Sequence, residues 1–334
     1  MTIDEEFPIL EYLILGPRMT DSEALTLPET LQAPNLHHLT LNSFAFPIQS
    51  PLQPTATGLV TLFLIVVHPR TYFQPNVLLQ WISFIPQLET LTIGFRLAIP
   101  NHDVERQLTH TPITTHITLP NLCFFLFQGI SAYLEAVVFR ITTPRLETLQ
   151  IQLFNQLTFS VPCLQQFVNT TENLRLDDAV IMFKDKEINV LMSPRGADLY
   201  PFIVKIGCGH LNWQVSSVAQ IFNGLSQGLS VVEHLDFRHE VHNQSSEEHN
   251  DVDQIERRNL LRPFSNVKTL RIEDGLVEQL SCCLRLEDGE LPLELFPELQ
   301  ELTYSGSGNT DNAFISFIDA CQNAGRPVTL VHRR

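Results

Sequence analysis

One short phrase recurs along this 334-residue chain and constrains its fold more than any other feature. It reads proline, any residue, leucine, two residues, leucine, one residue, then leucine or isoleucine. The copies are Pro8 with Leu10, Leu13 and Leu15; Pro34 with Leu36, Leu39 and Leu41; and Pro86 with Leu88, Leu91 and Ile93. Pro120 with Leu122, Phe125 and Phe127, Pro144 with Leu146, Leu149 and Ile151, and Pro297 with Leu299, Leu302 and Tyr304 follow it with aromatic replacements. Leu59, Leu62 and Leu64, then Val232, Leu235 and Phe237, then Val267, Leu270 and Ile272 keep the apolar spacing without the proline. Degraded copies lie at Leu174 to Phe183, Phe202 to Cys208 and Val328 to Val331. The last two apolar positions of each unit alternate as a short strand does and point to one side, while the first closes the turn before it.

About a dozen units spaced roughly 23 to 35 residues apart match a leucine-rich-repeat period lengthened by loops. The fold class expected is α/β: a leucine-rich-repeat solenoid, or horseshoe, with a parallel concave β-sheet and helical or irregular convex returns. Such coils bury a shared core, so residues 1–334 are expected to form a single domain. Helical returns are expected from Ser131, as a capping residue, through about Ile141, with Leu134, Val137, Val138 and Ile141 inward. Another begins near Ser216 or Ser217 with Val218, Ile221, Phe222 and Leu225 inward. A third runs from about Asn312, burying Phe314, Phe317, Ile318 and Cys321, and stops at Gly325 and Pro327. Pro75 to Ile85 and Ile255 to Leu261 complete the set. Residues 97–118 and 239–253 are polar and aperiodic and read as loop insertions.

The net charge of −16 argues against a phosphate-binding face, so no nucleic acid is expected as partner, and no membrane surface either. The apolar run from Leu59 to Val67 is far too short to span a bilayer. The opening residues Asp4, Glu5 and Glu6 are unlike an export leader, and the six cysteines show no paired framework. A cytoplasmic or nuclear location is the expectation.

Chemistry-bearing clusters are few. His239, His242 and His249 stand beside Glu240, Glu247, Glu248, Asp251 and Asp253, a set that could hold zinc. A hydrophilic loop supplies little of the support that fixes metal ligands, however, and solvated side chains are the expectation. Cys208 and His210 share a strand face without an orienting third group or an oxyanion donor. No phosphate loop, GxGxxG, GxSxG or HExxH occurs. The chain is read as a non-enzyme with no cofactor and no metal site.

The residues between inward positions should form the exposed concave face, and protein binding is expected there. Those singled out are His38, Thr61, Phe63, Ile65, Thr92, Phe124, Leu126 and Gln150 in the neutral, partly apolar half. Asp236, Arg238, Arg271 and Glu273 represent the charged half. Outward Phe63, Ile65, Phe124 and Leu126 would make an apolar patch of the kind that marks interaction sites. The rival expectation is contact through the loops.

The stretches FQGISAYLEAVVFRITTPRLETLQIQLFNQLTFSVPCLQQFV from Phe127 to Val168, LLRPFSNVKTLRIEDG from Leu260 to Gly275, and LFPELQELTYSG from Leu295 to Gly306 carry a family resemblance. In them the chain resembles the repeat portion of the basidiomycete fungal F-box/leucine-rich-repeat proteins. That resemblance implies a substrate-recognition domain of an F-box-type ubiquitin ligase receptor, binding another protein. It implies a Skp-type adaptor as partner only if an F-box is present upstream. This chain opens inside a repeat, at Phe7, Pro8 and Leu10, with no helical segment of the LPxEIL kind before it. The expectation is therefore a truncated receptor or a stand-alone repeat protein.

Overall fold

The structure is a computed structural model that describes residues 7–16, 25–26, 33–42, 44–45, 56–66, 73–95, 116–154, 156, 158–197, 199–208, 211–240, 251–284, 295–305 and 313–333. It divides into two compact units, one of residues Met1–Phe154 with Gln166–Leu174, the other of Asn155–Gln165 with Arg175–Arg334. Both are α/β, and most of their strands pair in parallel.

The proline phrase folds as a turn followed by a strand. In all six proline copies the residue before the proline accepts a hydrogen bond from the leucine two residues after it, as in Ala33 O to Leu36 N (3.1 Å) and Thr143 O to Leu146 N (3.2 Å). Proline thus occupies the second position of a β-turn, where its fixed φ suits the geometry and its missing N–H is not needed. The strand entry repeats as well. The carbonyl of Val60 accepts from both Glu89 N and Thr90 N, that of Glu89 from Cys123 N and Phe124 N, and that of Cys123 from Glu147 N and Thr148 N.

In the first unit these entries set up the strands β1 (Tyr12–Leu15), β2 (Leu25–Thr26), β3 (His38–Asn42), β4 (Phe44–Ala45), β5 (Thr61–Val66), β6 (Thr90–Phe95), β7 (Ile117–Thr118), β8 (Phe124–Gly129), β9 (Ile141–Thr142) and β10 (Thr148–Leu153). The main sheet runs β1-β3-β5-β6-β8-β10, all parallel, while β2 pairs with β4 and β7 with β9. Register is kept throughout, so Leu13, Leu39, Leu62, Leu91, Phe125 and Leu149 form one inward row across the sheet. Leu15, Leu41, Leu64, Ile93, Phe127 and Ile151 form the next. From β3 to β10 these side chains are at most 3 % exposed. Each contributes about 1.5–3 kcal/mol by leaving water. The helices Pro75–Ile82 and Ser131–Val138 supply cover, and Tyr133 of the latter meets Phe95 edge-on at 4.9 Å and Phe127 in a stack at 5.9 Å.

The second unit contains β11 (Asp178–Lys184), β12 (Glu187–Ser193), β13 (Phe202–Gly207), β14 (His234–Glu240), β15 (Thr269–Ile272), β16 (Glu301–Ser305) and β17 (Thr329–Arg333). Their order is β13-β12-β11-β14-β15-β16-β17. From β11 to β17 pairing is parallel, and Ala179, Leu235, Leu270, Leu302 and Leu330 make an inward row, with Ile181, Phe237, Ile272, Tyr304 and His332 beside it. The expectation of a wholly parallel sheet is corrected here, because β11, β12 and β13 form an antiparallel meander. Only Asp185 and Lys186 separate β11 from β12, and a connection so short can join antiparallel neighbours but cannot cross over to a parallel one.

Helix positions follow the inward patterns with shifted ends. Ser131 is not a cap: Ile130 holds that position without a side-chain bond, Ser131 is buried inside the helix, and the helix stops at Val138, leaving Ile141 to β9. The second return starts earlier, spanning Leu211–Gly224, with Val218, Ile221, Phe222 and Leu225 buried as expected. Its Gln214 donates to Lys184 O (2.7 Å) and Cys208 O (2.8 Å), which fixes the helix start against the ends of β11 and β13. The third covers Ile315–Asn323 with Phe314, Phe317 and Cys321 buried, Ile318 half-buried, and Gly325 at φ +77° just beyond its end. Pro75–Ile82 ends before Ile85, and the helix ending at Leu261 begins at Asp251. That start, β14 continuing to Glu240, and the pairing of Ile117–Thr118 trim the two expected insertions, of which residues 97–115 and 241–250 lie outside those described. Among the described residues no helix is long and apolar enough to cross a membrane.

Candidate functional site

Because inward side chains alternate with outward ones, each sheet presents a face whose composition is fixed by alternate positions, in most strands the first, third and fifth. In the first unit that face carries three rows. Tyr12, His38, Thr61, Thr90, Phe124 and Thr148 make the first; Ile14, Thr40, Phe63, Thr92, Leu126 and Gln150 the second; Asn42, Ile65, Gly94 and Gln128 belong to the third. The eight expected residues, His38, Thr61, Phe63, Ile65, Thr92, Phe124, Leu126 and Gln150, all fall within these rows.

Register brings Phe63 and Leu126 into one row with Thr92 between them, and sets Phe124 in the adjoining row. Phe63, Ile65, Phe124 and Leu126 are half-buried. Thr92 departs from the expectation of exposure: only 8 % of it reaches solvent, and its hydroxyl oxygen has no hydrogen-bond partner among the described residues. A threonine flanked by two larger side chains in the same row is shaded by them. Two residues outside the expected set extend the apolar surface at β1, namely Tyr12 (64 % exposed) and Ile14 (78 %). The Tyr12 ring stacks on His38 at 4.2 Å with the planes 5° apart. They occupy the alternate positions of the Pro8 phrase, so the same template would have found them.

The open face of the second unit is charged. Its first row is Ser193, Asp178, His234, Thr269, Glu301 and Thr329; its second is Ile203, Leu191, Val180, Asp236, Arg271, Thr303 and Val331; its third is Lys205, Asn189, Met182 and Arg238. Asp236 and Arg238 pair with each other, Arg238 donating from Nε and Nη2 to Asp236 Oδ2 at 2.9 and 2.8 Å. Burial opposes the Arg238 charge, but Asp236 and the Coulombic pull of Glu273 outweigh it and raise the pKa. Arg271 is the register neighbour of Asp236 and half-buried. Glu273, just beyond the end of β15, is engaged by the backbone. Its Oε2 accepts from the backbone N–H of His239 (3.2 Å), which ties the ends of β14 and β15 together rather than presenting a free charge. Asn189 and Leu191 on this face belong to β12, the one strand of the meander that no copy of the template marks, while Ile203 and Lys205 lie on the degraded copy at β13.

Among the described residues, His234 Nε2 on the second face accepts from no hydroxyl. Ser193, Asp178, His234 and Thr269 are register neighbours on four strands, but Asp178 Oδ1 and His234 Nε2 have no hydrogen-bond partner among the described residues, so no hydroxyl–imidazole–carboxylate relay is formed. Burial pushes the thiols of Cys283 and Cys321 up to about 11, away from reactivity. Cys208 is buried, and His210, its expected neighbour, lies outside the described residues. Of the histidine-rich cluster, His239 lies on β14 with a pKa lowered by burial, Asp185 and Glu273 opposing; His242 and His249 lie outside the described residues. Among the described residues no group of His, Cys, Asp and Glu is placed to hold a metal ion.

No family model matches the chain, and no curated protein is similar to it. The reading of its function therefore rests on the two open faces themselves.

Proposed function

We propose that the chain is a single-domain leucine-rich-repeat solenoid that binds another protein on its open sheet faces and catalyses nothing. The observation that carries this reading is the repetition itself. One turn, one bifurcated strand entry and two inward apolar positions recur in register, setting the outward side chains of neighbouring strands side by side on one face. Of these, Tyr12, Ile14, Phe63, Phe124 and Leu126 supply the aromatic and aliphatic anchors on which binding energy concentrates at protein interfaces. With the resemblance in sequence phrasing, it supports reading the chain as the substrate-recognition part of an F-box-type ubiquitin ligase receptor, a Skp-type adaptor being engaged only by a chain that carries an F-box upstream. Six free thiols suit a reducing compartment, the cytoplasm or nucleus.

The test is a face-directed double variant, Phe63→Asp with Phe124→Asp, assayed against a partner identified by crosslinking to the wild-type chain. Loss of at least tenfold in affinity with an unchanged circular dichroism spectrum is expected. Undiminished binding by the folded variant would remove the face from the reading.

A further inference from the structure

Three acceptor oxygens on the open face of the second unit lack donors among the described residues. Asp178 Oδ1 on β11, Asp236 Oδ1 on β14 and Asn189 Oδ1 on β12 are each shielded from solvent, and none has a hydrogen-bond partner there. Asn189 is only 6 % exposed, its amide nitrogen being held by Glu187 at 3.1 Å. His234, beside Asp178 in register, has an Nε2 in the same condition. Such groups are expensive to leave unmet, and most proteins meet nearly all of them.

The neighbouring cations do not meet them. Arg238 bonds the other oxygen of Asp236, Lys184 lies 3.2 Å from Glu240, and Lys268 lies 2.6 Å from Glu233. Arg271 and Lys205, the register neighbours of Asp236 and Asn189, leave the Asp236 Oδ1 and Asn189 Oδ1 acceptors without a hydrogen bond. Asp178 and Asp236 are diagonal neighbours on adjacent parallel strands, about 7–8 Å apart by strand geometry. A guanidinium or ammonium group spans such a gap with donors directed to both sides.

We infer that this face binds a protein segment through an arginine or lysine side chain seated between Asp178 and Asp236, with Asn189, the register partner of Met182 and so four residues along from Asp178, accepting from another part of the segment. The inference deepens the protein-binding reading and rests on it for the assumption that the open face meets a polypeptide. The net charge of −16 favours a basic partner at long range as well. The unmet Asp178 oxygen costs the free chain stability, so removing that negative charge should not weaken the fold, whereas Asp236 is already paired with Arg238.

Fluorescence anisotropy with four labelled, end-blocked decapeptides of alternating threonine and serine, differing only in a central arginine, lysine, glutamine or glutamate, tests this. The arginine and lysine peptides should bind at least tenfold more tightly than the glutamine peptide, and 0.5 M salt should erase most of that difference. Asp178→Asn with Asp236→Asn should abolish it; Asp178→Asn alone should melt at or above the wild-type temperature and the double variant below it, because Asp236→Asn also gives up the ion pair with Arg238. Equal binding of arginine and glutamine peptides, tighter binding of the glutamate peptide through Arg271 and Lys205, no binding of any peptide, or a preference that survives salt would each overturn the assignment. The peptide and salt comparisons use the wild-type chain alone, so they decide the matter even where the double variant misfolds. Phe63→Asp with Phe124→Asp should keep the arginine preference. A partner indifferent to that variant, together with a retained arginine preference, would sink the aromatic-face reading alone.

Discussion

Gly129 shows how tightly single residues are fitted in the first unit. A Cβ there would lie 2.8 Å from Phe127 Cζ and 2.9 Å from Phe95 Cδ2, inside the cluster those rings form with Tyr133. Gly129→Ala should therefore lower the unfolding free energy by about 1–3 kcal/mol, read by urea titration. Gly94, on the opposite face, would bring its Cβ no nearer than 3.6 Å to Gln128, and Gly94→Ala should be neutral or stabilising. Equal effects at the two sites would contradict the assignment of faces. A second residue-scale consequence concerns pH. Burial raises the thiols of Cys283 and Cys321 from 9.0 to about 11, so across that window the folded chain holds protons that the unfolded chain has released. Their contribution to stability is complete below pH 9 and is lost as pH rises toward about 11. Unfolding titrations should show a steeper alkaline decline in the wild type than in Cys283→Ala; parallel declines would show that burial does not govern this thiol.

At the scale of the turn and strand, proline acts by restricting the unfolded chain, since Pro86 and Pro144 are exposed and bury little. Pro86→Ala should lower stability by about 0.4–1 kcal/mol, whereas Leu91→Ala, emptying a fully buried place in an inward row, should lower it by about 2–5 kcal/mol. These strands were legible in the sequence because turn chemistry and alternation mark the same residues twice. Strand β12 was not, although Ile188, Val190 and Met192 alternate inward, since no proline or turn-closing leucine precedes it. Its pairing is decided by a two-residue connection that carries no distinctive residue. Helix faces were legible where aliphatic spacing was strong, as at Val218, Ile221 and Phe222, but starts were not, because Gln214 and Ile130 hold helix ends through tertiary bonds or none at all. Among site residues, position on the face followed from parity alone, while the burial of Thr92 and the engagement of Glu273 depend on neighbouring strands that a single sequence does not display.

At the scale of the whole molecule, the function proposed depends on strands held in parallel register, because that is what gathers Phe63, Leu126 and Phe124, scattered over more than sixty residues of sequence, into one surface. Thr61 and Thr90 are register partners on the open face of β5 and β6, whereas Thr61 and Thr92 are displaced by two residues. In a Cys123→Ser background, copper-catalysed disulfide formation should be fast and nearly complete for Thr61→Cys with Thr90→Cys and much slower for Thr61→Cys with Thr92→Cys. The reverse order of rates, or no disulfide in either pair under conditions where the chain is folded, would contradict the parallel in-register sheet and the binding face built on it.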